Sequence, residues 1–173
     1  MWSDRMELIS TREFIKNLPI ESKSEGTYLN IVEENCILQG ELDIPQTDWT
    51  VYKSHKFGGT IVNFKNDICI ANFKKNYFTY GQEILALLRD YLRGRGVNVQ
   101  VDGNDLIADG KYKVASYAST NLDGIVYTAV HISMSVDLEP IKYHCIKPMT
   151  KIPKGLGEYK ISTKELRDFF VGK

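Results

Sequence analysis

The stretch from Tyr80 to Ala118 reads Y-G-Q-E-I-L-A-L-L-R-D-Y-L-R-G-R-G-V-N-V-Q-V-D-G-N-D-L-I-A-D-G-K-Y-K-V-A-S-Y-A, and a change of period inside it decides the fold class. Ile84, Leu85, Leu87, Leu88, Tyr91 and Leu92 fall on one broad face at helical spacing. That predicts a helix over Tyr80–Arg95, closed by Gly96. Short runs of strand-favouring residues follow: Val97–Val101, Leu106–Ala108 and Tyr112–Tyr117. Asp102-Gly103-Asn104-Asp105 and Asp109-Gly110 separate them with turn-forming residues. Gly124–Val136 reads as a further strand.

Upstream, Trp49–Phe73 is rich in Val, Ile, Phe and Tyr and breaks at Gly58-Gly59 and at Lys65-Asn66-Asp67. Three strands are expected there, with a glycine turn and a hairpin. The phrases Ile9-Ser10-Thr11-Arg12-Glu13 and Ile161-Ser162-Thr163-Lys164-Glu165 are both capping boxes, Ser at the N-cap and Glu three residues later. They start helices over Thr11–Leu18 and Thr163–Phe170. Tyr28, Ile31 and Val32 fit helical spacing, whereas Ile37 and Leu38 suit a strand. Gln39–Thr47 reads as loop, and Leu138–Tyr159 as loop or short helix. Strands in runs, helices at both ends and one long central helix predict an α+β domain with a mixed or antiparallel sheet.

With 173 residues, one domain spanning 1–173 is expected. Lys+Arg and Asp+Glu both count 22, which removes the basic excess behind most nucleic-acid affinity. The basic stretch Lys53–Lys56 and the pair Lys74-Lys75 support that partner only weakly. No apolar run reaches the roughly 20 residues that span a bilayer, and no signal-type stretch follows the first residues. Cys36, Cys69 and Cys145 form neither a CxxC pair nor a disulfide pattern, so a cytoplasmic protein is expected, with no metal site.

Several residues carry candidate chemistry. Gly58-Gly59-Thr60, preceded by Lys53, His55 and Lys56, either cradles an anion on its backbone N–H groups or forms a tight turn. Gly103-Asn104-Asp105 precedes a strand-like run in which Lys113 is followed by Ala115, Ser116 and Ala118. Lys113 either aims at a carboxylate or phosphate over a close-packed floor or sits on the solvent face of an edge strand. His131 is a lone histidine in an apolar strand. Cys145 follows His144, but strand neighbours point to opposite faces.

In order and spacing, these clusters resemble the biotin/lipoate protein ligase superfamily, most closely lipoate-protein ligase A and its octanoyltransferase relatives. The family pattern R-R-x-x-G-G-G-x-V-x-H-D-x-G-N-L-N-F is matched by Lys53 to Phe73. The blocks G-x-N-D-[LI]-x-V and K-[IV]-S-G-[SN]-A correspond to Gly103–Ile107 and Lys113–Ala118. Ser135-Val136-Asp137-Leu138 and Lys154-Gly155-Leu156-Gly157 follow in family order, so the match covers about residues 50–171. The resemblance implies a central mixed β-sheet flanked by helices, of the class II aminoacyl-tRNA synthetase/biotin protein ligase kind. It implies attachment of lipoate, octanoate or biotin to a carrier-protein lysine, through an acyl-adenylate that needs ATP and magnesium. Lys113 takes the place of the family's catalytic lysine. Lys53, Gly58, Gly59, Thr60, Asn104, Asp105, Ala115 and Ser116 take ligand-binding places.

The chain departs from the pattern at identifiable positions. Phe57 replaces a glycine, Lys53 and Ser54 stand where arginines are usual, and Tyr117 adds bulk in the lysine motif. His131 is two residues out of place. Pro148-Met149 stands where octanoyltransferases carry a nucleophilic Pro-Cys-Gly, leaving Cys145 as a shifted substitute. Two functions therefore compete: a ligase or acyltransferase, and an inactive member that binds a small molecule or a protein.

Overall fold

The computed structural model describes residues 6–17, 25–39, 48–53, 60–144 and 151–172. Its centre is an eight-stranded mixed sheet. In spatial order it runs β1 (Met6–Leu8), β2 (Gly26–Ile31), β6 (Ile68–Lys75), β10 (Ile125–Ile132), β9 (Tyr112–Leu122), β8 (Asp105–Ala108) and β7 (Val99–Asp102). β11 (Ile152–Pro153) adds to the start of β9 in parallel. The β1/β2 pair is also parallel and the other pairs are antiparallel. A second, three-stranded sheet sets β3 (Cys36–Gln39) between β4 (Thr50–Lys53) and β5 (Thr60–Asn63). The α+β expectation holds.

Alternation along the central strands feeds two cores. Ile68 and Ile70 on β6, with Val130 and Ile132 on β10, join the helix-side core. There they meet Ile84, Leu85, Leu88 and Leu92 of α2 (Tyr80–Gly94) and Leu166 and Phe170 of α4 (Thr163–Val171). Cys69, Ala71 and Phe73, with Tyr127, face the other way. Against them lie Ile9 and Phe14, which bracket the start of α1 (Thr11–Asn17), and Cys36 and Ile61 of the small sheet. Both capping boxes start helices as expected. Ser10 accepts from the Glu13 N–H at 3.2 Å, and at Ser162 both reciprocal bonds are present.

Three expectations need correction. Tyr28, Ile31 and Val32 are not helical: β2 occupies this stretch, and its alternation is blurred because Leu29 and Asn30, on opposite faces, are both buried. Lys65-Asn66-Asp67 does not join a paired hairpin. It carries the chain from β5 in the small sheet to β6 in the central one. The strands of Trp49–Phe73 do not share one sheet: 50–63 goes to the small sheet, while the central sheet takes β6 and also draws on β1 and β2. The short helix expected as an alternative in Leu138–Tyr159 is present as α3 (Leu138–His144), with β11 and a 3₁₀ turn at Leu156–Tyr159 after it.

Candidate active site

The open end of the layer between the two sheets forms a pocket of about 170 Å³. Ile61, Val62 and Phe64 give one wall, Val136, Ile141 and Pro153 another. The central sheet supplies Lys113, Ala115, Ser116 and His131, and Lys151 closes the mouth before β11.

The polar floor is one row across the sheet. Register places Cys69 opposite His131, His131 opposite Ser116, and Ser116 opposite Asp105. Directly paired residues share a face, so four strands present these side chains together. Lys113 joins the row through an irregularity. Leu106 pairs with Ala115 but Ile107 pairs with Lys113, which leaves Val114 as an extra residue on β9. Such a bulge re-aims the side chains beyond it. Val114 and Ala115 are buried in the helix-side core, and Lys113 and Ser116 both reach the pocket.

Charge concentrates at the mouth. Lys113 Nζ lies 3.5 Å from Asp105 Oδ1, and Lys151 Nζ donates to Asp105 Oδ2 at 2.7 Å. Lys151 also lies 3.1 Å from Asp102 Oδ2. Its pKa is raised by the hydrogen bond to Asp105 first and by that to Asp102 second. Two cations thus converge on one carboxylate beside apolar walls, an arrangement able to take a ligand anion in place of Asp105.

At the inner end, His131 Nε2 is 3.0 Å from Asp67 Oδ2. Asp67 is fully buried. Its carboxylate also accepts the N–H groups of Met134 at 2.8 Å and Phe64 at 3.0 Å. Cys36 and Cys69 are free but unreactive: burial pushes the Cys36 thiol up to about 11 and raises that of Cys69 well above its usual value.

The structure brings together Lys113, Asp105, Ala115, Ser116 and His131. Asn104 sits exposed in the β7–β8 turn and makes a backbone contact, its carbonyl accepting from the Tyr117 N–H at 3.0 Å. Lys53 and Thr60 end β4 and β5, both paired with Gln39, so their backbones flank one point of β3. Phe57, Gly58, Gly59, Cys145 and Met149 lie outside the described residues. Tyr117 does not crowd the pocket, contrary to expectation. It packs in the helix-side core against Gly81 of α2, where an added Cβ would come within 2.2 Å of its ring. Lys151 and Asp67 were not singled out from sequence. Lys151 lies among prolines and turn residues, and Asp67 is hidden in a turn 64 residues from His131.

The chain has the fold of the lipoate protein ligases. A bipartite lipoate protein ligase from Thermoplasma acidophilum, studied with its E2 lipoyl domain, superposes with a TM-score of 0.73 at 12% identity, covering 97% of this chain and 80% of that one. Lipoate-protein ligase A bound with ATP gives 0.73 at 13% identity, over 95% and 81%. A T. acidophilum protein with bound lipoic acid gives 0.71 at 11% identity, over 97% and 83%. No protein-family model and no curated sequence matches the chain. Among the described residues, no helix is long and apolar enough to cross a membrane.

Proposed function

We propose that the protein attaches a carboxylic acid of the lipoate, octanoate or biotin class to a lysine of a carrier protein, through an acyl-adenylate made from ATP. The observation that carries this is the pairing of apolar walls with two lysines at the mouth, Lys113 and Lys151. Similar folds hold lipoic acid in one case and ATP in another, and a third was studied with its E2 lipoyl domain. The acid's chain lies along Ile61, Val62, Phe64 and Ile141, where apolar burial holds it at about 25 cal/mol per Å². Its carboxylate meets Lys113 and Lys151, which release Asp105 to do so. Lys113 then sits where a fixed cation stabilises charge developing on the acyl carbonyl oxygen.

ATP supplies the phosphate that makes the acid a good acyl donor, and the two lysines suit that anionic group. Among the described residues no three His, Cys, Asp or Glu side chains gather into a metal cage. Magnesium would therefore be held mainly by the phosphates, with Asp105 and Asp102 the carboxylates at that edge.

The test is incubation with octanoate, lipoate or biotin, ATP, magnesium and a lipoyl-type carrier domain, read by intact mass. The expected result is an acylated carrier lysine with AMP formed. Acid binding without adenylate or transfer would instead make the protein a small-molecule-binding module.

A further inference from the structure

We infer that His131 is the base that takes the proton from the acceptor amine as it attacks the acyl carbonyl, with Asp67 as the positioning residue behind it. This rests on the transfer reaction proposed above. The lysine of a carrier protein sheds its ammonium proton before it can attack and must lose a second proton as the carbon–nitrogen bond forms, so the pocket needs an acceptor near its floor. His131 lines that floor, with Ser116 beside it in the neighbouring strand and Lys113 in the same pocket.

The geometry selects the ring's state. Both oxygens of Asp67 are already occupied by backbone donors, Met134 N–H on Oδ1 and Phe64 N–H on Oδ2. A carboxylate only accepts, so the ring nitrogen facing it, Nε2, carries the hydrogen. Nδ1 is then the ring's basic atom. A fully buried carboxylate held by three donors is a fixed counter-charge for the imidazolium that forms.

The alternatives nearby fail chemically. Lys113 and Lys151 are cations engaged with Asp105. Cys69, opposite His131, keeps its thiol proton because burial raises its pKa well above the usual value. Ser116 and Ser133 are hydroxyls. The titratable groups around His131 are thus Asp67, Cys69, Lys113 and Lys151, and among these described groups none offers a neutral base.

In the step itself, the amine nitrogen bonds to the acyl carbon while the carbon–oxygen bond to the adenylate phosphate breaks. The electron pair leaves on AMP. Two protons leave the nitrogen between ammonium and amide: the first passes to water before attack, the second moves to Nδ1 as the carbon–nitrogen bond forms, and the imidazolium returns it to water after product leaves.

The experiment separates the two half-reactions. Synthetic octanoyl-, lipoyl- and biotinyl-AMP are each mixed with a lipoyl-type carrier domain in single-turnover transfer. Adenylate formation from the free acid and ATP is followed separately. The proteins are wild type, His131→Ala, His131→Gln and Asp67→Asn. His131→Gln keeps an amide donor toward Asp67 and removes the base, so it reports even where His131→Ala folds poorly. Both histidine variants are expected to transfer about 100-fold more slowly, a far larger loss than in adenylate formation. Added imidazole should partly restore His131→Ala. In Asp67→Asn, ¹⁵N NMR should show the ring no longer fixed with its proton on Nε2. His131→Gln transferring within a few-fold of wild type, or losing both half-reactions equally, would overturn the role. A wild type that transfers from no adenylate removes the proposed function itself, and the inference with it.

Discussion

Lys113 and Ser116 are three residues apart on β9, yet both reach one pocket, because Val114 is the extra residue of a bulge opposite Leu106 and Ile107. In a regular strand, residues at odd separation point to opposite faces. The bulge therefore puts a cation and a hydroxyl on the same face of the sheet, in the polar row that also holds His131. It also puts Lys113 within reach of Asp105.

Asp105 is the shared counter-charge of the mouth, so Asp105→Asn should loosen both lysines. The pKa of Lys151 is raised from 10.5 in the folded state, chiefly by its bond to Asp105. A raised pKa stabilises the fold below the unfolded value, and that contribution is lost as pH rises through the folded one. The variant should thus be less stable than wild type at pH 7, and the gap should close as pH rises through the raised Lys151 value. Because Lys151 is partly exposed and Asp102 remains beside it, the difference should stay under about 1 kcal/mol. Urea unfolding at both pH values measures it.

Gly81→Ala should destabilise the protein despite helix propensity. Alanine gains up to about 1 kcal/mol over glycine within a helix. Its Cβ would lie 2.2 Å from Cδ2 of Tyr117 and 2.4 Å from Cγ, near the rigid root of the ring. Overpacking of this kind costs about 1–3 kcal/mol, so the clash wins. In the Tyr117→Ala background the same change should be neutral or stabilising. A double-mutant cycle by chemical denaturation reads the coupling.

Thiol chemistry should be absent from the reaction path. Cys36, raised from 9.0 to about 11, and Cys69 should react with a thiol reagent at pH 8 only after unfolding. The raised Cys36 value means a stabilising contribution present below about pH 9 and lost toward pH 11. Cys145→Ala should still transfer, and omission of ATP should abolish transfer from the free acid. A folded Cys145→Ala with no turnover would point to an acyl-cysteine route.

Local chemistry was legible in the sequence where it is complete within a few residues. Ser10 with Glu13, and Ser162 with Glu165, announce helix starts unaided. The apolar face of α2 needs only its own period. β2 was misread because the chain there is covered on both sides, so Leu29 and Asn30 show no alternation. The small sheet joins β4 to β3 in parallel, a pairing that nothing local encodes. In the site, Lys113 and Asp105 were legible as motif positions, but their contact was not. The Asp67–His131 pair spans 64 residues and is made only by the β6–β10 register. Tyr117 was placed at the pocket because the bulge that fixes the facing of β9 leaves no mark in the sequence.

Lys113 tests the central claim most directly. Wild type, Lys113→Ala and Lys113→Arg should be compared for acylation of a carrier-domain lysine with ATP, magnesium and each acid, with melting temperature as the folding control. Lys113 is partly exposed and, among the described residues, pairs only with Asp105 at 3.5 Å, so both variants should melt close to wild type. Transfer should fall by about 100-fold or more in Lys113→Ala, as for loss of a preorganised charged donor. Lys113→Arg should not restore it, because a planar fork does not replace a compact ammonium in a tight site. Equal transfer by all three folded proteins would contradict the account.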